Sequence, residues 1–233
     1  MGMMKNGLGA LALVAMAGAA NATPVNLSQQ DPNDIFGGGG SANVTVSANG
    51  QTTQAQAGGF RVTDGVENFV AWCLDIFNTV SLPAPYTITE TPFTGATFTT
   101  TVVDNLTRLF NTAYTSVNLS NNAQSAGFQL ALWEVITEGD PAFDVTSGDF
   151  QWTGGSTGAR DFANDYLDMM SGPETEQFVL TFFQSGFDDD HKQISQNLVS
   201  VAPIPLPAGV WLLGAGLLGL VAVGRRRRNA AAA

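Results

Sequence analysis

The sequence predicts one strand-rich α+β domain with about three helices, flanked by an N-terminal signal peptide and one C-terminal transmembrane helix. Three observations lead to this prediction: uncharged apolar segments near both ends, short alternating segments in the first half of the middle region, and helically spaced apolar residues in its second half. The predicted boundaries are 1–22 for the signal peptide, 23–202 for the secreted body and 203–233 for the C-terminal segment. A body of this length can bury one hydrophobic core.

The N-terminal segment has the three parts of a secretory signal peptide. Lys5 supplies the positive charge, Leu8 to Ala19 is apolar, and Ala20-Asn21-Ala22 matches the small-x-small pattern of a signal-peptidase site. The alternative is a membrane anchor, but about twelve apolar residues are fewer than the roughly 20 that a spanning helix needs. We therefore expect export from a bacterial cytoplasm, with cleavage between Ala22 and Thr23.

The charge of the body limits its partners. Lys5 and the arginines at 225–228 lie outside it, which leaves four basic residues against all twenty acidic ones, a net charge of −16. Nucleic-acid binding needs Lys and Arg at the phosphates, so no nucleic-acid partner is expected. Anionic lipid would repel the same surface. Cys73 is the one cysteine, which rules out an internal disulfide and leaves interchain pairing, burial or reactivity open.

Short alternating segments predict strands in the first half of the body. Ala42 to Ala48 alternates Val44 and Val46 with polar residues, and the glycine run at 37–40 before it predicts a loop. A turn at Asp64-Gly65 predicts a hairpin between the two strands that flank it. The further predicted strands are 60–62, 69–76 and 86–91, with 97–103 as a β-branched strand that enters a helix.

Helical spacing of apolar residues predicts three helices, and two strands then close the domain. The first runs from Asp104, its expected cap, to Tyr114. The second begins at Asn121 or Asn122, continues to about Thr137 and ends at Gly139-Asp140-Pro141. The third spans Asp161 to Met170, with its inward positions at Phe162, Tyr166, Leu167 and Met170, and the closing strands are 177–183 and 198–201.

The C-terminal segment has three parts in a fixed order. Pro203, Pro205 and Pro207 form an extended spacer, because proline fixes its backbone angle and lacks a donor. Ala208 to Gly224 carries no charge and, at about 1.5 Å per residue, is near the short limit for crossing a bilayer. Arg225, Arg226, Arg227 and Arg228 then hold the chain end on the cytoplasmic side.

This order resembles the PEP-CTERM sorting signal of Gram-negative envelopes. The closest resemblance is to its VPLPA-CTERM variant, here Ile204-Pro205-Leu206-Pro207-Ala208 with Ile in place of Val. The resemblance implies that an exosortase-type peptidase cleaves near Pro205, Leu206, Pro207 and Ala208, so that an inner-membrane-anchored precursor becomes a surface or extracellular protein. A plain C-terminal anchor is the alternative, with the same topology.

Two local patterns in the body resemble bacterial surface domains that form an internal thioester. The first is Trp72-Cys73-Leu74-Asp75, and the second is Gln129-Leu130-Ala131-Leu132-Trp133 on the second predicted helix. The resemblance implies that the Cys73 sulfur and the Gln129 side-chain carbonyl condense with loss of ammonia, giving an electrophile that an amine or hydroxyl attacks once. This sequence departs from the family pattern at Leu132, where Ile is usual, and at Phe128, where Thr is common.

Each pattern also has an ordinary structural interpretation. An apolar strand often holds a buried cysteine, and both tryptophans would then be core residues, with Gln129 bonded to a loop. The thioester requires three checkable conditions: a site that favours the thiolate, contact between the amide and the sulfur, and apolar neighbours that exclude water.

Other candidate sites are weaker. The run Asp188-Asp189-Asp190-His191 offers clustered carboxylates for a cation, but it lacks the spacing of a calcium loop, so a solvated acidic loop is favoured. Asp75 and Glu134 are candidate glycosidase acids without a distinguishing spacing. No phosphate loop or dinucleotide motif is present, and no cofactor or metal is expected.

The sequence therefore predicts a non-enzymatic envelope or biofilm-matrix protein, with attachment through Cys73 and Gln129 as its sharper form. Its expected partners are the sorting peptidase, the membrane before processing, and exopolysaccharide or surface amines. Two alternatives stay open: a polysaccharide-acting enzyme, and a covalent dimer through Cys73.

Overall fold

A computed structural model describes residues 23–89, 98–139 and 142–204. The strand-rich α+β architecture with three helices is confirmed. The predicted signal peptide, sorting motif, transmembrane helix and arginine cluster lie outside the described residues. Within the described ranges, no helix is long and apolar enough to cross a membrane.

Six strands close into an antiparallel barrel with the order β1-β4-β5-β9-β8-β6. Its core side chains include Leu27, Val62 and Phe182, which are buried. The six strands are β1 (Thr23–Gln29), β4 (Phe60–Thr63), β5 (Asn68–Cys73), β6 (Ala84–Thr89), β8 (Phe178–Ser185) and β9 (Leu198–Pro203).

A second sheet has three antiparallel strands, β2 (Ser41–Ala48), β3 (Gln51–Gly58) and β7 (Phe150–Gly155), with β2 in the centre. The predicted alternation of β2 is confirmed, since Val44, Val46 and Ala48 are buried. Asn49 and Gly50 join β2 to β3 with φ values of 51° and 77°, the backbone of a two-residue hairpin turn.

Three helices pack between and beside the sheets: α1 (Thr100–Ala113), α2 (Asn122–Glu138) and α3 (Thr157–Met169), with a short 3-10 turn at Tyr114–Ser116. The predicted bounds of α2 are confirmed. The Asn121 side chain accepts from the backbone N–H groups of Ala123 and Gln124, and Gly139 ends the helix in the left-handed conformation. Helix α2 is buried at every residue from 125 to 135, so it forms the centre of the body.

Two predicted helix starts are wrong. Helix α1 begins at Thr100, and the Thr99 side chain caps it by accepting from Val102 N. The predicted cap, Asp104, lies inside this helix. The predicted strand at 97–103 is not found at its described positions, 98–103. The reason is burial: Val102, Leu106 and Leu109 form one apolar face, which outweighs the weak strand preference of β-branched residues. Helix α3 begins at Thr157 instead of Asp161 because Ser156 caps it.

The predicted β4–β5 hairpin around Asp64-Gly65 and both closing strands are confirmed. The predicted strand at 69–76 is too long, because β5 ends at Cys73 and the next backbone N–H, of Leu74, donates to Asn197 O. Strands β1, β3 and β7 were not predicted, since polar and small residues interrupt their apolar alternation.

Candidate functional site

Cys73 lies at the end of β5, where the strand loses one of its two neighbours. On one side Cys73 pairs with Leu198 of β9. On the other side, β4 begins at Phe60 opposite Ala71, two residues before Cys73, so the ladder stops short. The side chain is 1 % exposed, and its Sγ donates to the Asp75 carbonyl at 3.2 Å.

The amide of Gln129 occupies the position that the missing strand would fill. Cys73 N donates to Gln129 Oε1 at 2.9 Å, and Gln129 Nε2 donates to Cys73 O at 2.8 Å. Gln129 lies in the middle of α2 and is 1 % exposed. The two residues selected from the sequence are therefore in contact, and the amide carbon lies between the two hydrogen bonds, beside the residue that carries the thiol.

The residues before each member of the pair are also in contact. The rings of Trp72 and Phe128 have centroids 4.8 Å apart, and Phe128 contacts Phe110 and Tyr114 in the same cluster. Trp72 and Phe128 are fully buried. This aromatic cluster holds β5 against α2. Because Trp72 precedes Cys73 and Phe128 precedes Gln129, the contact between the two rings also places Gln129 opposite Cys73.

A cavity of about 330 Å³ borders the pair. It lies between the edge strand β3 and the turn at 76–80, and its wall includes Cys73, Gln129, Trp133 and Gln196. None of its lining residues is charged. A small nucleophile therefore has space beside the Cys73–Gln129 contact.

The electrostatics of the site keep Cys73 protonated. Burial raises the pKa of the Cys73 thiol strongly, and the nearby negative charge of Asp75 raises it further. The indole N–H of Trp133 acts in the opposite sense and lowers that pKa. Among the described residues, no acceptor forms a hydrogen bond with this N–H. The first condition for a thioester, a site that favours the thiolate, is thus not met, because burial outweighs the lowering effects of Trp133 and of a backbone hydrogen bond at Asp75.

Asp75 has a structural role in the described contacts. Its Oδ2 accepts from Asn197 N at 2.7 Å and from Gln193 Nε2 at 2.6 Å. Burial raises the pKa of this carboxyl, and these hydrogen bonds lower it. Asp75 thus ties the turn after Cys73 to the segment before β9, which supplies one wall of the cavity.

Glu134 is fully buried on α2, and burial raises its pKa to about 8. Its Oε1 accepts from Asp144 N at 2.8 Å, so it holds a different loop from Asp75. Neither carboxyl lines the cavity beside Cys73. The candidate glycosidase pair is therefore not assembled around that cavity.

The acidic run at 188–191 forms part of the connection between β8 and β9. Asp188 Oδ1 accepts from the backbone N–H groups of Asp190 and Lys192, so this carboxylate serves its own loop. In the described part of the chain, no group of three His, Cys, Asp or Glu side chains could hold a metal ion.

Gln196 belongs to the site but was not predicted. It lies in an irregular segment before β9 and carries no local motif, so only the closure of the barrel brings it to the cavity. Its Nε2 donates to Asn78 O, while its Oε1 is buried without a hydrogen-bond partner among the described residues.

Comparison of the chain with protein-family models, with curated proteins and with solved structures found no match.

Proposed function

We propose that this protein is a non-enzymatic, exported envelope protein that forms an internal thioester between Cys73 and Gln129 and uses it for one covalent attachment. The observation that carries the proposal is the double hydrogen bond between the Gln129 amide and the Cys73 main chain. It holds the acyl group of Gln129 against the main chain of the residue that carries the thiol, and such fixed placement of reacting groups gives a large effective concentration.

The condensation balances without a further reactant. The Cys73 sulfur attacks the amide carbon of Gln129, the C–S bond forms, the C–N bond breaks, and ammonia leaves with the thiol proton. Before the reaction the Cys73 Sγ donates to Asp75 O, so the thiol must leave this carbonyl to reach the amide. Burial of both residues then limits the access of water to the acyl group to the side that borders the cavity.

Intact mass of the full exported protein tests this proposal. We expect the native protein to be lighter than its processed sequence by one ammonia, and the C73S and Q129A variants to have their full sequence masses. Methylamine should add to position 129 and release one thiol that iodoacetamide labels after unfolding. A full sequence mass, together with a thiol labelled without methylamine, would contradict the thioester.

A second candidate function is a non-covalent matrix protein in which Cys73 is simply buried. Two observations favour it: the strongly raised pKa of the thiol, and the use of both Gln129 polar atoms by the main chain. The same mass measurement separates the two candidates. Covalent dimerisation through Cys73 has less support, because the sulfur is buried.

Delivery to the surface is the second part of the proposal. Its support is the sequence order of proline motif, apolar segment and arginine cluster at 203–228. We propose cleavage by an exosortase-type peptidase, followed by release of the body toward the cell surface, where exopolysaccharide or surface amines are the targets. Replacing Pro205 and Pro207 with alanine should leave the uncleaved precursor in the inner-membrane fraction, and unchanged processing would contradict this route.

A further inference from the structure

Two buried polar atoms beside the Cys73–Gln129 pair have no hydrogen-bond partner among the described residues: Trp133 Nε1 and Gln196 Oε1. The two residues are 3 % and 8 % exposed, and the two atoms are buried from bulk solvent. Both residues line the cavity that Cys73 and Gln129 line. Such atoms are rare in native proteins, because each costs about 1–3 kcal/mol, so their convergence on one cavity indicates a ligand or a reacting group.

The two atoms are chemically complementary. An indole N–H is only a donor, and an amide oxygen is only an acceptor. Trp133 and Cys73 line the same cavity, and the Trp133 N–H lowers the pKa of the Cys73 thiol, so this donor lies near the atom where charge develops when a thioester opens. The Gln196 amide is oriented by its donation to Asn78 O, which leaves its oxygen as the available acceptor in the cavity wall.

We propose that Trp133 and Gln196 are the polar residues of the attachment step: the Trp133 N–H donates to the Cys73 sulfur, and the Gln196 carbonyl accepts an N–H of an incoming primary amine. The inference rests on the proposed thioester and assigns the cavity as the site that binds the nucleophile. The uncharged lining has no carboxylate to hold an ammonium ion, so the amine binds in its neutral form.

The attachment step balances as follows. The nitrogen lone pair of the amine attacks the acyl carbon of residue 129, the C–N bond forms, and the C–S bond breaks with its electron pair on sulfur. One amine proton passes to that sulfur, so the products are a substituted amide at position 129 and a free Cys73 thiol. The Trp133 N–H stabilises the sulfur charge as the bond breaks, while Gln196 orients the amine without taking its proton.

The two roles predict different kinetic effects, which the rate of methylamine addition to the full exported protein can separate. The wild-type rate should saturate with methylamine concentration and rise with pH as the neutral amine becomes more abundant. In Q196L the half-saturating concentration should rise about tenfold with little change in the limiting rate. In W133F the limiting rate should fall about tenfold with little change in half-saturation.

Three controls keep this test decisive. Q196N retains an uncharged amide with an acceptor oxygen and should restore part of the binding that Q196L loses. W152F removes another buried unpartnered indole N–H, outside the cavity, and should leave both constants unchanged. Thermal unfolding checks that each variant folds, and the ammonia-loss mass checks that each forms the thioester.

The outcomes distinguish the two proposals. A wild-type protein without the ammonia loss overturns the thioester and this inference together. A wild-type thioester whose opening does not saturate, or keeps wild-type constants in Q196L and W133F, overturns only the roles of these two residues. If W133F fails to fold, the half-saturation shift in Q196L still decides whether the cavity binds the amine.

Discussion

At the scale of single residues, Gln129 replaces a length of β-strand. Its oxygen and nitrogen bond to the N–H and carbonyl of Cys73, as a neighbouring strand would at that position. A glutamine on a helix can do this only when the helix crosses the end of the strand at side-chain distance. The complete contact therefore serves the fold in copies without a thioester, because formation of the thioester would remove the Nε2 donor.

This structural contribution can be measured without the covalent bond. In a C73A background, adding Q129A removes both hydrogen bonds and leaves a buried N–H and C=O unpaired, so we expect a further loss of about 2–4 kcal/mol in the free energy of unfolding. Chemical denaturation of C73A and C73A/Q129A gives this difference. Exposed Gln56 on β3 supplies the control, and C73A/Q56A should match C73A within about 0.5 kcal/mol. Equal stability of the three variants would contradict the role of Gln129 in the fold.

Glu134 predicts a pH dependence of stability. Its folded pKa of about 8 lies above the ordinary value of 4.5 because it is buried, so the folded state holds this proton more tightly than the unfolded state. The stabilisation is complete below about pH 4.5 and is lost as the pH rises through about 8. E134Q stays neutral and keeps a carbonyl oxygen for Asp144 N.

The difference in unfolding free energy, E134Q minus wild type, should therefore rise by a few kcal/mol between pH 5 and pH 8, since each pKa unit is worth about 1.4 kcal/mol. Denaturation series at several pH values measure this difference. A difference that stays constant across that range would show that Glu134 is ionised in the fold.

At the scale of elements, the approach of α2 to α3 depends on Gly127. A Cβ at this position would lie 2.7 Å from Phe162 Cβ and 2.9 Å from Ala159 O, both on α3. These contacts are too short, so a side chain here must push the helices apart. Gln129 is two residues further along α2, and its hydrogen bonds to Cys73 depend on where that helix lies.

We therefore expect G127A to lower the unfolding free energy by about 1–3 kcal/mol and to slow formation of the thioester, since it shifts Gln129 relative to Cys73. Denaturation gives the first quantity, and the time course of ammonia loss after refolding gives the second. G50A at the β2–β3 turn is the control: its added Cβ meets nothing within 4 Å, but the positive φ strains it, so it should lower stability without slowing the reaction. If both variants slow the reaction equally, helix position is not the cause.

At the scale of the whole molecule, the net charge of the body predicts which amines would react fastest with the proposed thioester. The body carries twenty acidic and four basic residues, whereas the lining of the cavity is uncharged, so cationic molecules should concentrate near the protein before they bind in neutral form. We expect 1,5-diaminopentane to react several-fold faster than 6-aminohexanoate at low salt. The ratio should fall toward about two at high salt, where the field is screened and only the number of amino groups per molecule differs. A salt-independent ratio would show that the surface charge does not act on the reaction.

The difference between local and long-range contacts explains which parts of the structure the sequence could predict. Helix α2, strand β2 and the β4–β5 hairpin depend on local signals: a cap at Asn121, alternating valines, and a turn at Asp64-Gly65. Barrel closure depends on pairings between distant strands, such as β1 with β6, which no local pattern encodes. Gln196 reaches the cavity only through that closure. The Cys73–Gln129 contact could be anticipated because both residues lie in recognisable patterns, whereas its hydrogen-bond geometry could not.

The double hydrogen bond also means that each proposed reaction at position 129 changes the contacts of the Cys73 main chain. If the proposed thioester forms, the departure of ammonia removes the Gln129 nitrogen that donates to Cys73 O and leaves this buried carbonyl without that donor. If water then opened the bond, position 129 would become a glutamate, which has no ammonia to lose and cannot re-form the thioester by this route. Under the proposed function, hydrolysis would therefore leave a copy that can no longer attach and that lacks the amide hydrogen bond to Cys73 O.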